Sequence, residues 1–562
     1  MPTECDMTPH HSLPGRSGLR ERDTTRCGSP EHPGIGEPAG PAGRGRPDGP
    51  LAPATGTASP AGGSPAATLV AALLGFFLLT LDASVVNVAL PAMGRGLHGG
   101  LSALQWVVDG YTLALAALML STGALADRVG AARAFRGGAA VFTAASVACG
   151  LAPDLTALVA ARVVQGAAAA AVLPSSLALV RQAFPERARQ ARAISVWATG
   201  GSIAVALGPV AGGALTSLWG WRAVFLVNLP AGVAALLLSG RARRSPRRPA
   251  PLDLPGQAAA VVALAALAYA VVEGGRAGWA AGAVAAAAFA VFLVLEARRP
   301  HPVVPLGLFR APAVTASVLA GSAVSFAFVG MVFVLSLFFQ QVRGLSPMGA
   351  GVMFVPMTVL ISTVNVVSGR LTNRFGPRLP MLLGQGVAAA GLLVLLPVGA
   401  GGPLPLVALA AVPFALGAAL AVPALTAAMM AGAPGERAGM AAGVLNAARQ
   451  VSGALSVAVF GSLIGGGGHD GHGGFLAGMR MSALAGAALL AVSAAVTALA
   501  LRGPGAVARR VGGPAGADGP GAPEEARGGE AGQAGEVSGS TGHAGPAGPA
   551  GTARDEDSEG AE

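Results

Sequence analysis

Long apolar stretches of about twenty residues alternate with short polar loops over most of the chain. A stretch of that length is sufficient for an α-helix to cross a bilayer. About fourteen such stretches follow one another between two polar tails. The predicted spans are 67–93, 103–124, 133–152, 155–180, 190–216, 221–239, 254–274, 279–297, 313–340, 348–368, 379–398, 404–430, 438–464 and 479–501. The pattern therefore predicts an all-α polytopic membrane protein.

The arginines between these spans lie mostly on one side of the predicted bundle. Loops that follow even-numbered spans hold about nineteen arginines, whereas loops that follow odd-numbered spans hold about five. Positive charge in short loops is concentrated on the cytoplasmic side of a membrane. The asymmetry predicts an even number of spans with both termini in the cytoplasm.

Composition supports the same class of protein. Of the 562 residues 53% are hydrophobic and 11% are charged, and the mean hydropathy is +0.61, which excludes an ordinary soluble protein. The net charge of +10 is spread over loops and tails, so it does not indicate nucleic-acid binding. Residues 1–66 and 503–562 are rich in Pro and Gly and lack periodicity, and we predict that both are disordered cytoplasmic tails.

Asp82, Asp109 and Arg162 are three ionisable residues that lie well inside predicted spans. At 1.5 Å per residue, Asp82 is roughly 10 Å from the outer end of span one, Asp109 about 9 Å from that of span two and Arg162 about 10 Å from that of span four. The three side chains therefore share one depth. Charged residues at such depth are costly, and they usually mark substrate or proton pathways.

We predict that Asp82 is the proton-coupling or cation-recognition acid, and that Asp109 is a second acid which takes up a proton or contacts a cationic substrate. Arg162 is the charge that responds when an acid is protonated. Simpler alternatives stay open. Asp82 could be a satisfied polar residue bonded to Asn87 or to a neighbouring helix, and Asp109 could form a structural ion pair with Arg162 or lie close to the interface.

An internal repeat divides the chain. The segment from Gly123 to Arg133 after span two matches the segment from Gly369 to Arg378 after span ten. The repeat predicts two six-helix halves, 67–239 and 301–502, separated by a basic linker and two inserted helices in 240–300. A substrate site is then expected between the halves.

Several motifs resemble those of one transporter family. The Gly123–Arg133 loop resembles the loop signature of the major facilitator superfamily. Other stretches are similar to motifs of its fourteen-helix drug:proton antiporter branch: Leu81–Pro91, Arg162–Gly166, Ala204–Gly213, Trp221–Pro230 and Phe339–Pro347. Two positions depart from the pattern, since Ala204 replaces the usual glycine and Asn373 stands in the second loop where the first has Asp127.

The resemblance implies roles for two groups of residues. In the loop, Asp127 and Arg128 are expected to latch the cytoplasmic gate in the outward-open state, with Gly130 allowing the tight turn. The loop residues concerned are Gly123, Asp127, Arg128, Gly130 and Arg133. The antiporter motif residues, which bend span five and allow a close helix approach, are Gly208, Pro209, Gly212 and Gly213. The alternatives are a basic loop that only sets topology, and ordinary packing of small residues.

The predicted function is export of small amphipathic drugs or antibiotics in exchange for protons across the bacterial cytoplasmic membrane. No nucleotide-binding signature of the Gly-x-x-x-x-Gly-Lys-Ser/Thr type is present, so a proton gradient is the expected energy source, without cofactor or metal. The expected partners are the small-molecule substrate, protons and lipid, but no nucleic acid, and the protein is predicted to be a monomer. The alternatives are proton-coupled uptake of a metabolite and a membrane sensor or enzyme without transport.

Overall fold

The computed structural model describes residues 64–242, 245, 253–299, 304, 306–433, 438–465 and 472–502. Residues 65 and 66, predicted as the end of the N-terminal tail, already belong to the first helix. Residues 1–63 and 503–562 of the predicted tails lie outside the described residues, as do residues 468–471 of the histidine-bearing loop.

Helices make up almost the entire described chain. In chain order they are α1 (Pro65–Leu97), α2 (Leu101–Val129), α3 (Ala131–Gly150), α4 (Leu155–Ala183), α5 (Arg187–Trp219), α6 (Ala223–Leu226), α7 (Asn228–Ser239), α8 (Leu254–Glu273), α9 (Gly275–Arg298), α10 (Pro312–Leu337), α11 (Pro347–Met353), α12 (Val355–Phe375), α13 (Arg378–Val394), α14 (Leu404–Ala410), α15 (Val412–Gly432), α16 (Ala438–Gly465) and α17 (His472–Ala500). A short 3₁₀ turn (Leu306–Arg310) precedes α10 and a π-helical turn (Phe338–Val342) follows it.

Polar side chains fix several helix starts. The Ser64 hydroxyl accepts from the Ala67 N–H at 3.2 Å, and the Asp154 carboxylate accepts from the Ala157 N–H at 2.8 Å. Such N-caps satisfy backbone donors that have no partner in the first helical turn.

Each predicted span coincides with a helix or with a pair of helices, but three spans are interrupted. The breaks fall at Val227, Phe354 and Ala411, and α11 and α12 meet at an angle of 44°. Among the described residues ten helices are long and apolar enough to cross a membrane, or eleven if the bent α11–α12 pair forms one span. The segments Ala223–Ser239 and Arg378–Val394 are apolar but shorter. The number fourteen therefore stays a prediction.

The helices pack in two groups. In the first half (α1 to α7), α1 packs against α4, α5 and α7, and α4 packs against α2 and α3. In the second half (α10 to α17), α10 packs against α15, α16 and α17, and α13 packs against α15 and α17. The helices α8 and α9 pack together, and α8 also contacts α2 and α16, one helix from each half. The division of the chain by an internal repeat, with its boundaries, stays a prediction.

The halves are joined near one end of the bundle. We call the end with the loop from Asp127 to Arg133 the arginine-rich face, and the end where α1 and α2 connect the opposite face. Near the opposite face, Ser336 Oγ donates to Asn87 O at 2.8 Å and Gln340 Nε2 donates to Val88 O at 2.8 Å, so α10 and its π-helical turn are tied to α1.

The helices α2 and α16 close the other side of the same end. Gln105 Nε2 donates to Val457 O at 3.0 Å and to Ala458 O at 2.9 Å. Met348 N also donates to Ser217 Oγ at 3.1 Å. Within the described residues, every hydrogen bond between the two halves lies toward the opposite face. This conformation is therefore sealed at the opposite face.

Candidate functional site

Asp82 lies in the middle of α1 and is fully buried, with 0% of its side chain exposed. Three groups donate to its carboxylate. Arg162 on α4 donates to Oδ2, and Gln165 Nε2 and Asn228 Nδ2 donate to Oδ1 at 3.0 and 2.8 Å. Both carboxyl oxygens are thus occupied, and the adjacent guanidinium balances the negative charge.

The guanidinium of Arg162 is equally enclosed, with 1% exposure. Its Nε donates to Val107 O on α2 at 3.0 Å, and its Nη1 also donates to Gln165 Oε1 at 2.8 Å. The Tyr111 ring lies over the guanidinium, with 4.2 Å from Cζ to the ring centroid, which suits a cation–π contact. The side chain of Arg162 therefore connects α1, α2 and α4.

A second layer of polar groups supports this ion pair. Ser146 Oγ on α3 accepts from Gln165 Nε2 at 3.1 Å and from Asn228 Nδ2 at 2.9 Å, and it donates to Phe225 O at 3.0 Å. With α2, which Arg162 reaches at Val107 O, six helices meet at one network: α1, α2, α3, α4, α6 and α7. A buried polar network of this kind is stable only while its members are satisfied.

The pairing settles which acid the arginine neutralises. The alternative prediction that Arg162 pairs with Asp109 is wrong for this conformation, because its partner is Asp82. The interpretation of Asp82 as a residue bonded to neighbouring helices is confirmed in its geometry, whereas Asn87 takes no part, since its Nδ2 donates to Ala83 O at 3.1 Å. Depth was predictable from residue counting, but the rotation of each helix decides the partner.

Asp109 on α2 has a different environment. Its side chain is 0% exposed, and neither carboxyl oxygen accepts a hydrogen bond from another described residue. Gln105 and Leu113, one turn away on either side and on the same helix face, both approach α16. Asp109 therefore lies on the face of α2 that meets the second half.

The antiporter motif makes two kinds of close contact. A Cβ on Gly212 would lie 2.7 Å from Val85 O, and a Cβ on Gly208 would overlap the Ser84 side chain. Both glycines therefore allow α5 to pack closely against α1 within the first half. A Cβ on Gly213 would lie 2.5 Å from Pro347 O, so this glycine faces α11 of the second half.

Pro209 takes part in the second kind of contact, because its carbonyl oxygen faces Gly351 at the same helix crossing. Gly208 and Gly212 of the motif thus pack inside the first half, whereas Pro209 and Gly213 form part of the seal between the halves.

The loop at the arginine-rich face ends α2 at Gly130, whose φ of 94° is available to glycine at little cost. The Ala132 N–H donates to Ser245 Oγ at 3.1 Å, which places the linker residue against this turn. Asp127, Arg128 and Arg133 are exposed, and the structure shows no ion pair for them within the described residues. Gly123 lies in the last turns of α2 with open space around it.

Four polar residues of the structure were not predicted as site residues from the sequence. Gln165 and Asn228 were noted only as letters of motifs, and Ser146 was not noted at all, although each contributes to the network around Asp82. Arg449, in the middle of α16, was also missed. An arginine inside an apolar run is the signal that could have identified it. Within the described residues no group of three or more His, Cys, Asp or Glu side chains could hold a metal ion.

Solved structures with the same arrangement of helices are transporters. A bacterial homologue of the human lysosomal transporter Spinster, in an inward-facing and unoccupied conformation, matches with a TM-score of 0.58 and 19% identity, over 79% of this chain and 98% of that one. A peptide transporter POT in complex with sulfate matches with a TM-score of 0.59 and 17% identity, over 78% and 96% of the two chains. These likenesses show an all-helical membrane-protein fold.

The family model of the Major Facilitator Superfamily matches residues 72–457. The chain belongs to this superfamily, which confirms the resemblance of its motifs, and it is accordingly a multi-pass membrane transporter rather than an enzyme.

Among its relatives, the multidrug resistance protein Stp of Mycobacterium tuberculosis is 40% identical over 71% of this chain and 75% of its own length. The methylenomycin A resistance protein of Streptomyces coelicolor is 38% identical over 72% and 88%. The tetracenomycin C resistance and export protein of Streptomyces glaucescens is 35% identical over 72% and 76%.

Proposed function

We propose that this protein is a proton-coupled antiporter that exports small amphipathic drugs or antibiotics across the bacterial cytoplasmic membrane. In this proposal fourteen spans cross the membrane and both termini lie in the cytoplasm, as the distribution of arginines indicates. The names of the relatives support drug export, because resistance and export proteins cover most of the same chain. The buried acids Asp82 and Asp109 support the coupling of export to proton movement.

The observation that carries the proton assignment is the contrast between the two acids. Asp82 is held by an arginine and two amides, whereas Asp109 has no partner among the described residues. An ionised carboxylate without partners is unfavourable in an apolar interior, whereas the neutral acid is tolerated. Protonation of Asp109 breaks no interaction of this structure, and protonation of Asp82 breaks at least one. We assign the coupled proton to Asp109.

The position of Asp109 links the proton to the conformational change. It lies between Gln105 and Leu113 on the α2 face that packs against α16, where the two halves are sealed. In the proposed cycle the seal opens and Asp109 loads a proton from outside. The seal then closes around the neutral acid, as in this conformation, and the proton later leaves toward the cytoplasm.

The loop at the arginine-rich face takes the complementary role. Asp127 and Arg128 are exposed here and are free to pair when that face closes. In the proposal they hold the cytoplasmic gate in the outward-open state. The Asp82–Arg162 network keeps the first half rigid while this gate and the seal alternate.

The test uses Asp109→Asn and Asp82→Asn in proteoliposomes with an imposed pH gradient. Asp109→Asn should fold normally and still bind substrate, because it replaces an unpartnered acid by a neutral amide, but the gradient-dependent part of the flux should disappear. Asp82→Asn should lower stability instead, since it leaves Arg162 buried without a counter-charge. Equal gradient-dependent flux in wild type and Asp109→Asn overturns the assignment.

Expression in an efflux-deficient host separates the proposed function from its rivals. Export lowers the accumulation of at least one compound in a panel of toxic amphipathic compounds, anionic as well as cationic, whereas uptake raises it. A non-transporting sensor leaves it unchanged. Asp109→Asn serves as the matched control, and its accumulation should equal that of cells without the protein.

A further inference from the structure

Among the described residues of the second half, Arg449 is a charged side chain that lies deep within a helix of the bundle, α16. It lies 11 residues after the start of α16 and so roughly 16 Å along this helix. Its Nε donates to Ser325 Oγ on α10 at 3.1 Å. The Nη1 and Nη2 groups donate no hydrogen bond to another described residue.

No acid neutralises this arginine in the described part of the chain. The described residues between Leu306 and Arg502 include neither Asp nor Glu, and none of the ion pairs in the described ranges involves Arg449. Arg162 in the first half is fully enclosed by partners, but Arg449 is only partly buried. A cation at this depth without an acidic counter-ion from the protein needs water or a ligand.

The side chain is nevertheless held in one orientation. A Cβ on Gly321 of α10 would lie 3.3 Å from Arg449 Cγ, so the aliphatic part of the arginine packs over this glycine. Together with the hydrogen bond to Ser325, this packing holds the side chain against α10 and leaves Nη1 and Nη2 without a hydrogen-bond acceptor among the described residues.

Two further polar side chains share the same surface of α16. Asn446, Arg449 and Gln450 are spaced as i, i+3 and i+4, and so form one helix face, which we call the α16 polar face. Asn446 is exposed and Gln450 is partly exposed, and neither side chain forms a hydrogen bond with another described residue. Polar side chains at such depth face a bundle interior or a water-filled cavity rather than lipid tails.

The α16 polar face also lies beyond the seal between the halves. The contacts of α2 with α16 run from Leu101 and Gly465 at the opposite face to the apolar cluster of Leu113 and Ala454. Arg449 comes five residues before Ala454, and so roughly 7 Å closer to the arginine-rich face. The face is therefore placed where a cavity open toward the arginine-rich face can reach it.

We propose that the α16 polar face binds the acidic group of an amphipathic substrate, with Arg449 as the counter-ion for a carboxylate, sulfonate or phenolate. Charge-assisted hydrogen bonds from a guanidinium fit such a planar or multi-oxygen anion. This inference rests on the proposed export of amphipathic compounds and names their class, which is monoanionic rather than cationic. In this proposal the side-chain amides of Asn446 and Gln450 donate further hydrogen bonds to the oxygen atoms of the substrate's acidic group.

The test is equilibrium binding of two dyes that differ by one acidic group, anilinonaphthalene sulfonate and neutral phenylnaphthylamine. Both are titrated by fluorescence against the full-length protein in phosphatidylcholine nanodiscs. Wild type should prefer the sulfonate. Arg449→Gln should weaken sulfonate binding by about tenfold or more and leave phenylnaphthylamine binding within about twofold, because only the charged interaction is lost.

Two further variants make the result specific. Arg480→Gln removes one charge from an exposed position of the same half and should change neither affinity. Arg449→Lys keeps the charge and should retain most of the preference for the sulfonate. The proposal is wrong if wild type shows no preference, or if Arg449→Gln keeps it.

A lipid headgroup could supply the same anionic chemistry, and a second set of nanodiscs distinguishes it. If phosphatidylglycerol competes with the sulfonate in wild type but not in Arg449→Gln, the occupant is a lipid and the substrate proposal is overturned. Binding needs no proton gradient, so this result is independent of whether Asp109 couples transport.

Discussion

The two halves of the bundle differ in how their buried arginines are neutralised. In the first half Asp82 and Arg162 form an ion pair, and amide groups occupy the remaining positions around it. In the second half Arg449 has a single serine as its partner, and the described residues there include no acid. Two halves related by a repeat can therefore diverge, one toward a self-contained network and the other toward a group that is available to a ligand.

The loops of the repeat show a milder form of the same divergence. Gly130 ends α2 and Gly376 ends α12, both with positive φ, and each N–H donates to the carbonyl oxygen four residues earlier at 2.9 Å. Ser245 lies against Gly130, whereas no described residue comes within 4 Å of a Cβ placed at Gly376. Backbone geometry is thus retained in both copies, whereas the surroundings differ.

The largest effect should come from breaking the ion pair of the first half. Arg162→Gln leaves the carboxylate of Asp82 buried without its cation, and the free energy of unfolding should fall by about 3–5 kcal/mol. Arg449→Gln removes one hydrogen bond and no ion pair, so its cost should be about 1 kcal/mol. Chemical denaturation of both variants in detergent measures the difference.

A double variant checks the cause. Asp82→Asn combined with Arg162→Gln removes both charges, and it should be clearly more stable than Arg162→Gln alone. If the two single variants, Arg162→Gln and Arg449→Gln, lose equal stability, the contrast between the halves does not hold.

The next effect concerns the seal between the halves. A Cβ on Gly213 meets the backbone of α11, so Gly213→Ala should push α5 and α11 apart, at a cost of about 1–3 kcal/mol to the closed conformation. Spin labels at exposed Leu218 and Gln341 should report a longer distance across the opposite face.

The adjacent glycine is the matched control. Gly212→Ala acts on Val85 of α1 within the same half, so it should lower stability without lengthening the distance between the labels. An unchanged distance in Gly213→Ala would show that this glycine does not hold the seal.

The helices of this fold were largely predictable from the apolar pattern. The predicted starts of the fourth and seventh spans coincide with the first residues of α4 and α8. The breaks within three spans were not predicted. In each case the second helix has a proline in its first turn, Pro230, Pro356 or Pro413, where the missing N–H is tolerated.

Proline alone does not identify a break, because Pro91 and Pro209 lie inside uninterrupted helices. Packing against neighbouring helices decides which proline ends a helix, and a single sequence does not contain that information. The same limit applies to the candidate site. Counting residues placed Asp82, Asp109 and Arg162 at one depth, but the rotation of α1, α2 and α4 decides that the arginine meets Asp82. Arg449 was not predicted as a site residue, although it lies inside a predicted span as Arg162 does.

The smallest expected difference lies between the two loops of the repeat, and it tests whether the cover over the first loop matters. Gly130→Ala and Gly376→Ala both force a side chain into positive φ, at a cost of about 1–2 kcal/mol each. A Cβ at Gly130 also lies 3.1 Å from Ser245 O, whereas nothing lies within 4 Å of a Cβ at Gly376.

Gly130→Ala should therefore lose a few tenths of a kcal/mol more than Gly376→Ala in paired denaturation experiments, since a tight contact is added to the same backbone strain. Gly123→Ala is the control, because this glycine is helical with open space around it, and alanine should gain up to about 1 kcal/mol from helix propensity. Equal losses at Gly130 and Gly376 would mean that the segment at Ser245 gives way without cost. The first loop would then differ from the second only in its charge, Asp127 against Asn373, and not in its packing.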